Sequence, residues 1–365
     1  MKHDGSKYKN VLIARFSALG DVAMTIPVVY SLCRAYPDVH FVMATQPAAA
    51  TLFIEQPSNL TVKGVDVKTA YRGFAGLWRL AGELDKESHF DAFADLHGVL
   101  RTDVLRLYFR LRGIAVGKID KGRREKRQLT QPKNKQLVPL TSSHERYRRV
   151  FAALGFDFPT TFVSLFEKPA DPAEYAQITR PKQSGETWIA VAPFAKHKGK
   201  TYPPGLMSLV IERLAKRQHT RIFLFGGAGH EQEVLQHWTV SYPNVISLAG
   251  KKYGFPKELS LLSNVDVMVS MDSANMHLAS LVGVPVVSVW GATHPFCGFC
   301  GWRQSHDLEV QADMPCRPCS VFGNKQCLRN DYACLRSIDP DTIVGYVDKA
   351  LSMQKQKIEA NGRKI

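Results

Sequence analysis

The chain has 365 residues, and at about 150 residues per domain this length predicts two domains. The hydrophobic fraction of 45% and the charged fraction of 22% are those of a soluble globular protein, and they exclude a disordered chain or a polytopic membrane protein. The formal net charge of +15 is concentrated in residues 101–150, which hold 15 lysines and arginines against four acids. A patch of this kind favours an anionic partner, such as nucleic acid, a membrane surface or a phosphorylated substrate, over a merely solvated basic face.

The first half of the chain alternates between predicted strands and helices. Short apolar runs predict strands at residues 9–16, 40–44 and 90–95, and the apolar spacing of Val22, Ile26, Val29 and Leu32 predicts a helix after the first strand. Such alternation is typical of a parallel sheet covered by helices. We therefore expect residues 1–168 to form an N-terminal Rossmann-like domain. Arg15 and Asp21 interrupt the first apolar run, so it does not predict a signal peptide, and we expect a cytoplasmic protein.

The second half repeats this alternation after a polar, proline-containing segment. Residues 169–187 are predicted to be a linker, and residues 188–338 a second Rossmann-like domain with strands at 188–192, 222–225, 265–270 and 286–290. A cysteine-rich loop, residues 297–334, follows the last of these strands. Residues 339–365 are predicted to form a C-terminal helix, capped at its start by Asp339 and Pro340.

A polar motif follows the first strand, at residues 17–21. Ligands of open α/β sheets bind beyond the carboxyl ends of the strands, so Ser17, Gly20 and Asp21 are candidate site residues. The motif lacks the glycine fingerprint of nicotinamide enzymes and the Walker pattern, which excludes an ordinary dinucleotide or P-loop site. Asp21 fits two roles, a stabilising charge at a helix start or a carboxylate that accepts a proton.

Three further motifs follow strands of the second half. The lysine cluster ending at Lys200 suits a diphosphate or a solvated loop, and Gly226 and Gly227 allow close approach to a ligand or simply make a turn. The strongest local signal is the segment of residues 272–277. Its Asp272 can accept hydrogen bonds from sugar hydroxyls, and Ser273 and the following helix amides can donate to phosphate. His277 lies further along the same helix, where it can support the loop.

Six of the seven cysteines lie between Cys297 and Cys334, and they include two C-x-x-C pairs. This spacing suits a structural zinc, while reduced thiols in an irregular loop are the favoured interpretation. A zinc-containing nucleic-acid-binding protein is accordingly an alternative from a different functional class. The Asp339 and Asp341 pair is better explained as a helix cap than as a metal site, so no catalytic metal is expected.

In this order and spacing, the motifs resemble glycosyltransferase family nine, the lipopolysaccharide heptosyltransferases, from about Val11 to Pro340. Arg15–Asp21 resembles the family's opening segment, and the segments around His97, Arg101 and Arg146 resemble its acceptor-side stretches. Residues 200–203 resemble its K-x-W-P motif, and residues 272–277 its D-[ST]-G-x-x-H loop. The sequence departs from the family's pattern at a few positions, namely His97 for Gln, Tyr202 for Trp, Ala274 for Gly and His294 for Asp.

The resemblance implies a GT-B fold, in which two Rossmann-like domains have parallel sheets facing across a cleft. It also implies that the C-terminal helix packs back on the N-terminal domain. Asp21 would be the catalytic base. The donor would bind at seven residues: Lys200, Gly226, Gly227, Asp272, Ser273, Ala274 and His277. The acceptor would bind at five: Ser17, Gly20, His97, Arg101 and Arg146.

The implied reaction is inverting, metal-independent transfer of a heptose from ADP-heptose to the inner core of lipopolysaccharide. No cofactor is expected to be required. The expected partners are the nucleotide-diphosphate sugar, an anionic lipid-linked saccharide acceptor and an anionic membrane surface, with no nucleic acid. We expect a monomer that is peripheral at the cytoplasmic face of the inner membrane. The alternative within the same class is another nucleotide-sugar-dependent GT-B transferase of cell-envelope glycan synthesis.

Overall fold

The computed structural model describes residues 4–362 and divides into two compact units. The first unit runs to Gly122 and also contains Thr141–Leu165. The second unit takes Arg123–Leu140 and the chain from Phe166 onward. Each unit is built on its own parallel sheet. Among the described residues, none of the helices is both long and apolar enough to cross a membrane.

The first unit carries a five-stranded sheet in the order β3-β2-β1-β4-β5. Its elements, in chain order, are β1 (Asn10–Ala14), α1 (Leu19–Ala23), α2 (Ile26–Ala35), β2 (His40–Thr45), α3 (Pro47–Ala50), β3 (Leu60–Gly64), α4 (Gly73–Ser88), β4 (Ala92–Asp95), α5 (Leu100–Leu111) and β5 (Ala115–Lys118). Helix α6 (Arg123–Thr130) follows in the chain but belongs to the second unit, and α7 (Ser143–Ala153) returns to the first.

The second unit carries a six-stranded sheet in the order β11-β10-β9-β6-β7-β8. Its further elements are β6 (Thr187–Ala192), α8 (Pro204–Ala215), β7 (Thr220–Leu224), α9 (His230–Thr239), β8 (Val245–Ser247), α10 (Phe255–Leu262), β9 (Val267–Met271), α11 (Ala274–Leu281), β10 (Val286–Trp290), β11 (Glu309–Gln311), α12 (Ala333–Arg336) and α13 (Pro340–Gly362).

The central strands are buried on both faces, which is why they appear in the sequence as unbroken apolar runs. Val11–Ala14 of β1 and all of β9 and β10 are inaccessible to solvent or nearly so. Strand β1 pairs in parallel with β2 and with β4, so that Ile13 lies opposite both Met43 and Ala94. The core therefore sits between these strands and the helices that cover them.

In each sheet the strand order reverses once. In the first sheet the chain moves outward from β1 to β3 and then returns to the other side of β1 at β4. In the second sheet it moves from β6 to β8 and returns beside β6 at β9. The loops after the two strands at such a switch point diverge and leave an open crevice, which is the usual ligand site of an open α/β sheet. The loops after β1, β4, β6 and β9 are therefore the expected ligand-binding segments.

The structure differs from the predicted linker at residues 169–187, which pack on the second unit. Tyr175 is fully buried and contacts Trp188 edge-on, with ring centroids 5.9 Å apart. Lys182 forms an ion pair of 2.6 Å with Asp266. The second unit therefore begins at Phe166, ahead of the predicted boundary at residue 188.

The N-terminal domain does not contain the whole of residues 1–168, because residues 123–140 pack on the second unit. The Lys135 ammonium donates hydrogen bonds to the carbonyls of Cys316 and Arg317 at 2.8 and 2.9 Å. The Leu140 amide donates to the Phe296 carbonyl at 2.9 Å. The basic segment 101–150 is thus divided between the two units.

The C-terminal helix α13 makes extensive contacts within the second unit. It packs against α8 and against β9, β10 and β11. The buried side chains of Ile343, Val347 and Ala350, spaced by three or four residues, form the contacting face. This apolar face fixes the helix on the second sheet, and the expected packing on the N-terminal domain stays a prediction.

Replacement of Tyr175 tests how much the packing of residues 169–187 on the second unit contributes to the free energy of unfolding. Tyr175→Ala should lower the free energy of unfolding by about 3 kcal/mol, because it empties a fully buried aromatic site. The Tyr175 hydroxyl has no hydrogen-bond partner within residues 4–362, so Tyr175→Phe should be neutral or slightly stabilising. Urea unfolding of both variants checks this, and an alanine variant as stable as the wild type would contradict the packing.

Candidate active site

The segment after β1, which includes the first turn of α1, holds Asp21 in a defined orientation. Its carboxylate accepts a hydrogen bond from the Ala18 amide at 3.2 Å and lies 2.7 Å from the Arg15 guanidinium. Arg15 is buried and donates a second hydrogen bond to the Leu96 carbonyl at 2.8 Å, which ties this loop to the one after β4. The Asp21 side chain remains one-third exposed. A carboxylate that is both fixed and reachable can accept a proton from a bound hydroxyl.

Helix α7 contributes two residues near the same loop. The Tyr147 hydroxyl donates to the Asp21 backbone carbonyl at 3.2 Å. Arg146 is buried, and its guanidinium donates to the carbonyls of Thr141 and Asp120 at 3.1 Å each. Arg146 therefore holds backbone segments in place, a role the sequence motif did not indicate.

The loop after β4 is organised around the fully buried Asp95. One carboxylate oxygen accepts hydrogen bonds from the His97 and Gly98 amides at 2.9 and 2.8 Å, and the other lies 3.0 Å from the Arg106 guanidinium. Gly98 adopts a left-handed conformation with φ of 57°, which glycine tolerates without strain. Asp95 is thus a structural anchor that places His97 beside the loop of Asp21, whereas Arg101 on the next helical turn is exposed.

His97 is a neutral imidazole in this setting. Burial, reinforced by the positive charges of Arg15 and Lys121, lowers its pKa from 6.5 to about 3. A neutral ring carries both a donor and an acceptor, and so does the amide of the glutamine found in the family pattern. The substitution therefore conserves hydrogen-bonding capacity without adding charge.

In the second unit, the loops after β6 and β9 bring Lys200 and Asp272 together. The ammonium lies 3.2 Å from the Asp272 carboxylate, which is buried. Ser273 is the N-cap of α11, and Ala274 is its first residue, so backbone amides at this helix start point towards the same loop end. A cation and a helix N-terminus together form a suitable site for a diphosphate.

The position of Lys200 depends on the cysteine-rich loop. Gly323 of that loop has φ of 72°, and a β-carbon there would collide with the Lys200 side chain. The Gly199 carbonyl accepts a hydrogen bond from the Ala292 amide at 2.8 Å. Tyr202, which replaces tryptophan in the motif, is fully buried and donates to the Ile338 carbonyl at 2.6 Å. Contacts with the cysteine-rich loop and its flanking residues therefore hold the segment around Lys200 in place.

The remaining predicted donor residues lie around these two loops. Gly226 packs so closely under Leu235 that a β-carbon would be 2.6 Å from its Cδ1 atom. The Gly227 amide donates to the Glu231 carboxylate at 2.6 Å. His277 is buried on α11, as expected of a supporting residue. Burial and the nearby Arg317 and Lys135 lower the pKa of His294 to about 4, so the residue that replaces aspartate here is also neutral.

The cysteines are all free, and burial raises the pKa of Cys297 and of Cys334 to about 11. Among the described residues, one group brings three potential metal-binding atoms within 4.8 Å of one another, Cys300, His306 and Glu309. Glu309 accepts a hydrogen bond from Cys300 at 3.4 Å and bonds the His306 ring at 2.7 Å. The two C-x-x-C pairs do not form such a compact group.

Residues 77–326 match the family described as glycosyltransferase family 9 (heptosyltransferase). The chain belongs to this family. A similar protein, lipopolysaccharide heptosyltransferase 1 of Pseudomonas aeruginosa, is 26% identical over 329 residues, which cover 85% of each chain. This membership confirms the predicted glycosyltransferase and removes support from the nicotinamide-enzyme and nucleic-acid-binding alternatives.

Solved structures of the family share the fold. A family 9 glycosyltransferase from Veillonella parvula matches with a TM-score of 0.73 at 17% identity, covering 97% of this chain and 99% of that one. The E. coli heptosyltransferase WaaC, solved with ADP, matches with a TM-score of 0.64 at 19% identity, covering 93% and 99%. The predicted GT-B class with two parallel sheets is therefore confirmed.

The burial of neutral His97 makes stability sensitive to acid. Between pH 6.5 and 3 the unfolded chain binds a proton at this histidine and the folded chain does not. The contribution of His97 to the free energy of unfolding is therefore complete above pH 6.5 and is lost as the pH falls below that value. From pH 7 to pH 5, this histidine should account for a loss of about 2 kcal/mol.

Urea unfolding at pH 7 and pH 5 checks this expectation with His97→Gln, which should lose less stability over the interval than the wild type. His230→Gln, at an exposed helix start, is the matched control. Equal losses in the wild type and His97→Gln would show that His97 does not resist protonation.

Proposed function

We propose that this glycosyltransferase transfers a heptose with inversion from ADP-heptose to the inner core of lipopolysaccharide. The observation that carries the proposal is the arrangement at the second switch point, where Lys200, Asp272 and the N-terminus of α11 meet beyond β6 and β9. The similarity to lipopolysaccharide heptosyltransferase 1 and to WaaC solved with ADP supports the choice of donor and acceptor.

In this proposal the second unit binds the donor. Lys200 and the amides at the start of α11 bind the diphosphate and stabilise the charge that develops on it as the glycosidic bond breaks. Asp272, paired with Lys200 in the structure, accepts hydrogen bonds from the sugar hydroxyls. Gly226 and Gly227 permit close approach of the donor, while Ala274 and His277 shape the loop.

The first unit binds the acceptor and supplies the base. Asp21 takes the proton from the attacking hydroxyl as its oxygen bonds to the anomeric carbon, and Arg15 keeps the carboxylate oriented. Neutral His97 can hydrogen-bond the acceptor saccharide, and exposed Arg101 can pair with its anionic groups. Ser17 and Gly20 line the same loop, and Arg146 shapes it through its backbone contacts.

We propose that turnover requires no metal or cofactor, because fixed cationic and dipolar groups can stabilise the leaving diphosphate. The enzyme would act as a peripheral protein at the cytoplasmic face of the inner membrane, where a lipid-linked acceptor is available.

A donor panel tests the function directly. ADP release from ADP-heptose should increase when a lipid-linked inner-core acceptor is added, and it should persist in the presence of a strong chelator. Turnover of UDP- or GDP-sugars with no turnover of ADP-heptose would instead support another cell-envelope GT-B transferase. Complete loss with the chelator, restored by Mg²⁺ or Mn²⁺, would contradict metal independence.

Asp21→Asn should lower kcat by about 10²- to 10⁴-fold, because the amide keeps the shape of the side chain but cannot accept the proton. Donor affinity, measured by calorimetry, should remain near the wild-type value. Asp21→Glu serves as the matched variant and should recover part of the activity, since it restores a carboxylate. Near-normal turnover of Asp21→Asn would remove this residue from the mechanism.

Lys200→Ala should weaken ADP binding by about 10- to 100-fold, the value of a charge-assisted hydrogen bond, while adenosine binding changes little. The ratio of the two affinities is the informative quantity, because the substitution also leaves the buried Asp272 without its ion-pair partner. Lys198→Ala, in the same loop but over the Tyr332 ring, is the matched control. Equal losses for ADP and adenosine would place Lys200 outside the diphosphate site.

A further inference from the structure

Helix α5 of the first unit exposes three leucines to solvent. Leu100, Leu107 and Leu111 are 81%, 46% and 70% exposed. Their spacing of seven and four residues places them on one face of the helix, along about 16 Å of its length. Single exposed leucines are ordinary, but an aligned apolar stripe on a surface helix marks an interaction site.

Arginines flank this leucine stripe. At about 100° per residue, Arg101 lies to one side of the stripe and Arg110 to the other, and both are exposed. The acidic residue of the same helix, Asp103, is paired with Arg106. An apolar stripe bordered by arginines is the pattern of a helix that lies in the interface of an anionic membrane.

The neighbouring helix α4 extends the apolar surface. Phe74, near its start, is 60% exposed and stacks on Trp78 with ring centroids 5.5 Å apart. Trp78 in turn contacts Tyr108 of α5 edge-on at 5.1 Å. Aromatic residues of this kind are favoured at the level of lipid headgroups, where one end of the ring is apolar and the other is wet.

We propose that the leucine stripe of α5, with its flanking arginines, docks the protein on the surface of an anionic lipid bilayer. The helix begins immediately after the loop of Asp95 and His97, so docking would bring that loop to the membrane surface. Docking at this place gives access to a lipid-linked acceptor, and only this advantage rests on the proposed function. A second copy of the chain is a poorer occupant, because three leucines bordered by like charges fall short of the ~800 Å² per partner of a stable interface.

Vesicle co-sedimentation of the full chain tests the proposal. The wild type should bind phosphatidylglycerol vesicles and bind phosphatidylcholine vesicles weakly. The double variant Leu107→Gln/Leu111→Gln should bind phosphatidylglycerol at least tenfold more weakly, since two leucines lose their burial in the interface. Arg110→Gln should weaken it about fivefold, and this loss should shrink at high salt.

The matched control removes equally exposed apolar side chains from the second unit. Val240 and Leu328 are 77% and 74% exposed, and Val240→Gln/Leu328→Gln should bind vesicles like the wild type. Thermal unfolding should be unchanged in both double variants. With a delipidated, water-soluble acceptor, Leu107→Gln/Leu111→Gln should turn over at the wild-type rate.

Several outcomes would overturn the proposal. Equal loss of vesicle binding in the α5 variant and the control variant would mean that any exposed apolar residue contributes to membrane binding. Equal wild-type binding to both lipids, or to neither, would remove the charge-based argument. A change of oligomeric state in the α5 variant, seen by light scattering, would assign the stripe to self-association. Vesicle binding that depends on α5 in a protein that transfers no heptose would sustain this inference while the proposed function fails.

Discussion

The candidate site depends on a single constraint, the direction in which the chain leaves neighbouring parallel strands. Because parallel strands require crossover connections, the chain must build outward from one strand and later return to its other side. At that reversal the two following loops diverge, and the carboxyl ends of the strands are left uncovered. In this protein the reversals fall between β1 and β4 and between β6 and β9, and the loops after these four strands carry Asp21, His97, Lys200 and Asp272.

The structure of the central strands could be predicted from the sequence, whereas the edge strands could not. Strands β1, β2, β6, β9 and β10 are buried on both faces, so each appears as a continuous apolar run. The four strands at the sheet edges, β3, β5, β8 and β11, are short and only partly buried. Their sequences, such as Leu60–Gly64 and Glu309–Gln311, mix polar and apolar residues and resemble loops. These segments form strands because each hydrogen-bonds to a neighbouring strand, and not because of their local pattern of apolar residues.

The domain boundaries could not be predicted from the sequence, for a related reason. Residues 169–187 have the composition of a linker, yet the buried ring of Tyr175 and the ion pair of Lys182 with Asp266 fix the segment on the second unit. Residues 123–140 are strongly basic and were predicted to belong to the first domain, as part of a surface for an anionic partner. The carbonyls that accept hydrogen bonds from Lys135 lie about 180 positions later in the chain, at Cys316 and Arg317. Composition carries no information about contacts over such separations.

At the candidate site, motifs predicted Asp21, Lys200 and Asp272, because each lies in the segment that follows a buried strand. Their partners were not predicted. The Arg15 and Asp21 pair lies within one short segment after β1, but whether two charges in such a segment meet depends on the path of its backbone. Lys200 and Asp272 are joined only because β6 and β9 are neighbours. The neutrality of His97 follows from burial, which spacing does not reveal.

The packing of Gly323 against Lys200 has a consequence for how this enzyme can change over generations. The backbone at Gly323 is left-handed and in contact with the lysine stem, so a residue far along the chain and outside the candidate donor contacts fixes where the ammonium sits. In the proposed function, substitutions in the cysteine-rich loop would therefore change affinity for the donor while every residue proposed to touch the donor stays the same. The loop gives natural variation access to the proposed donor site without altering its chemistry.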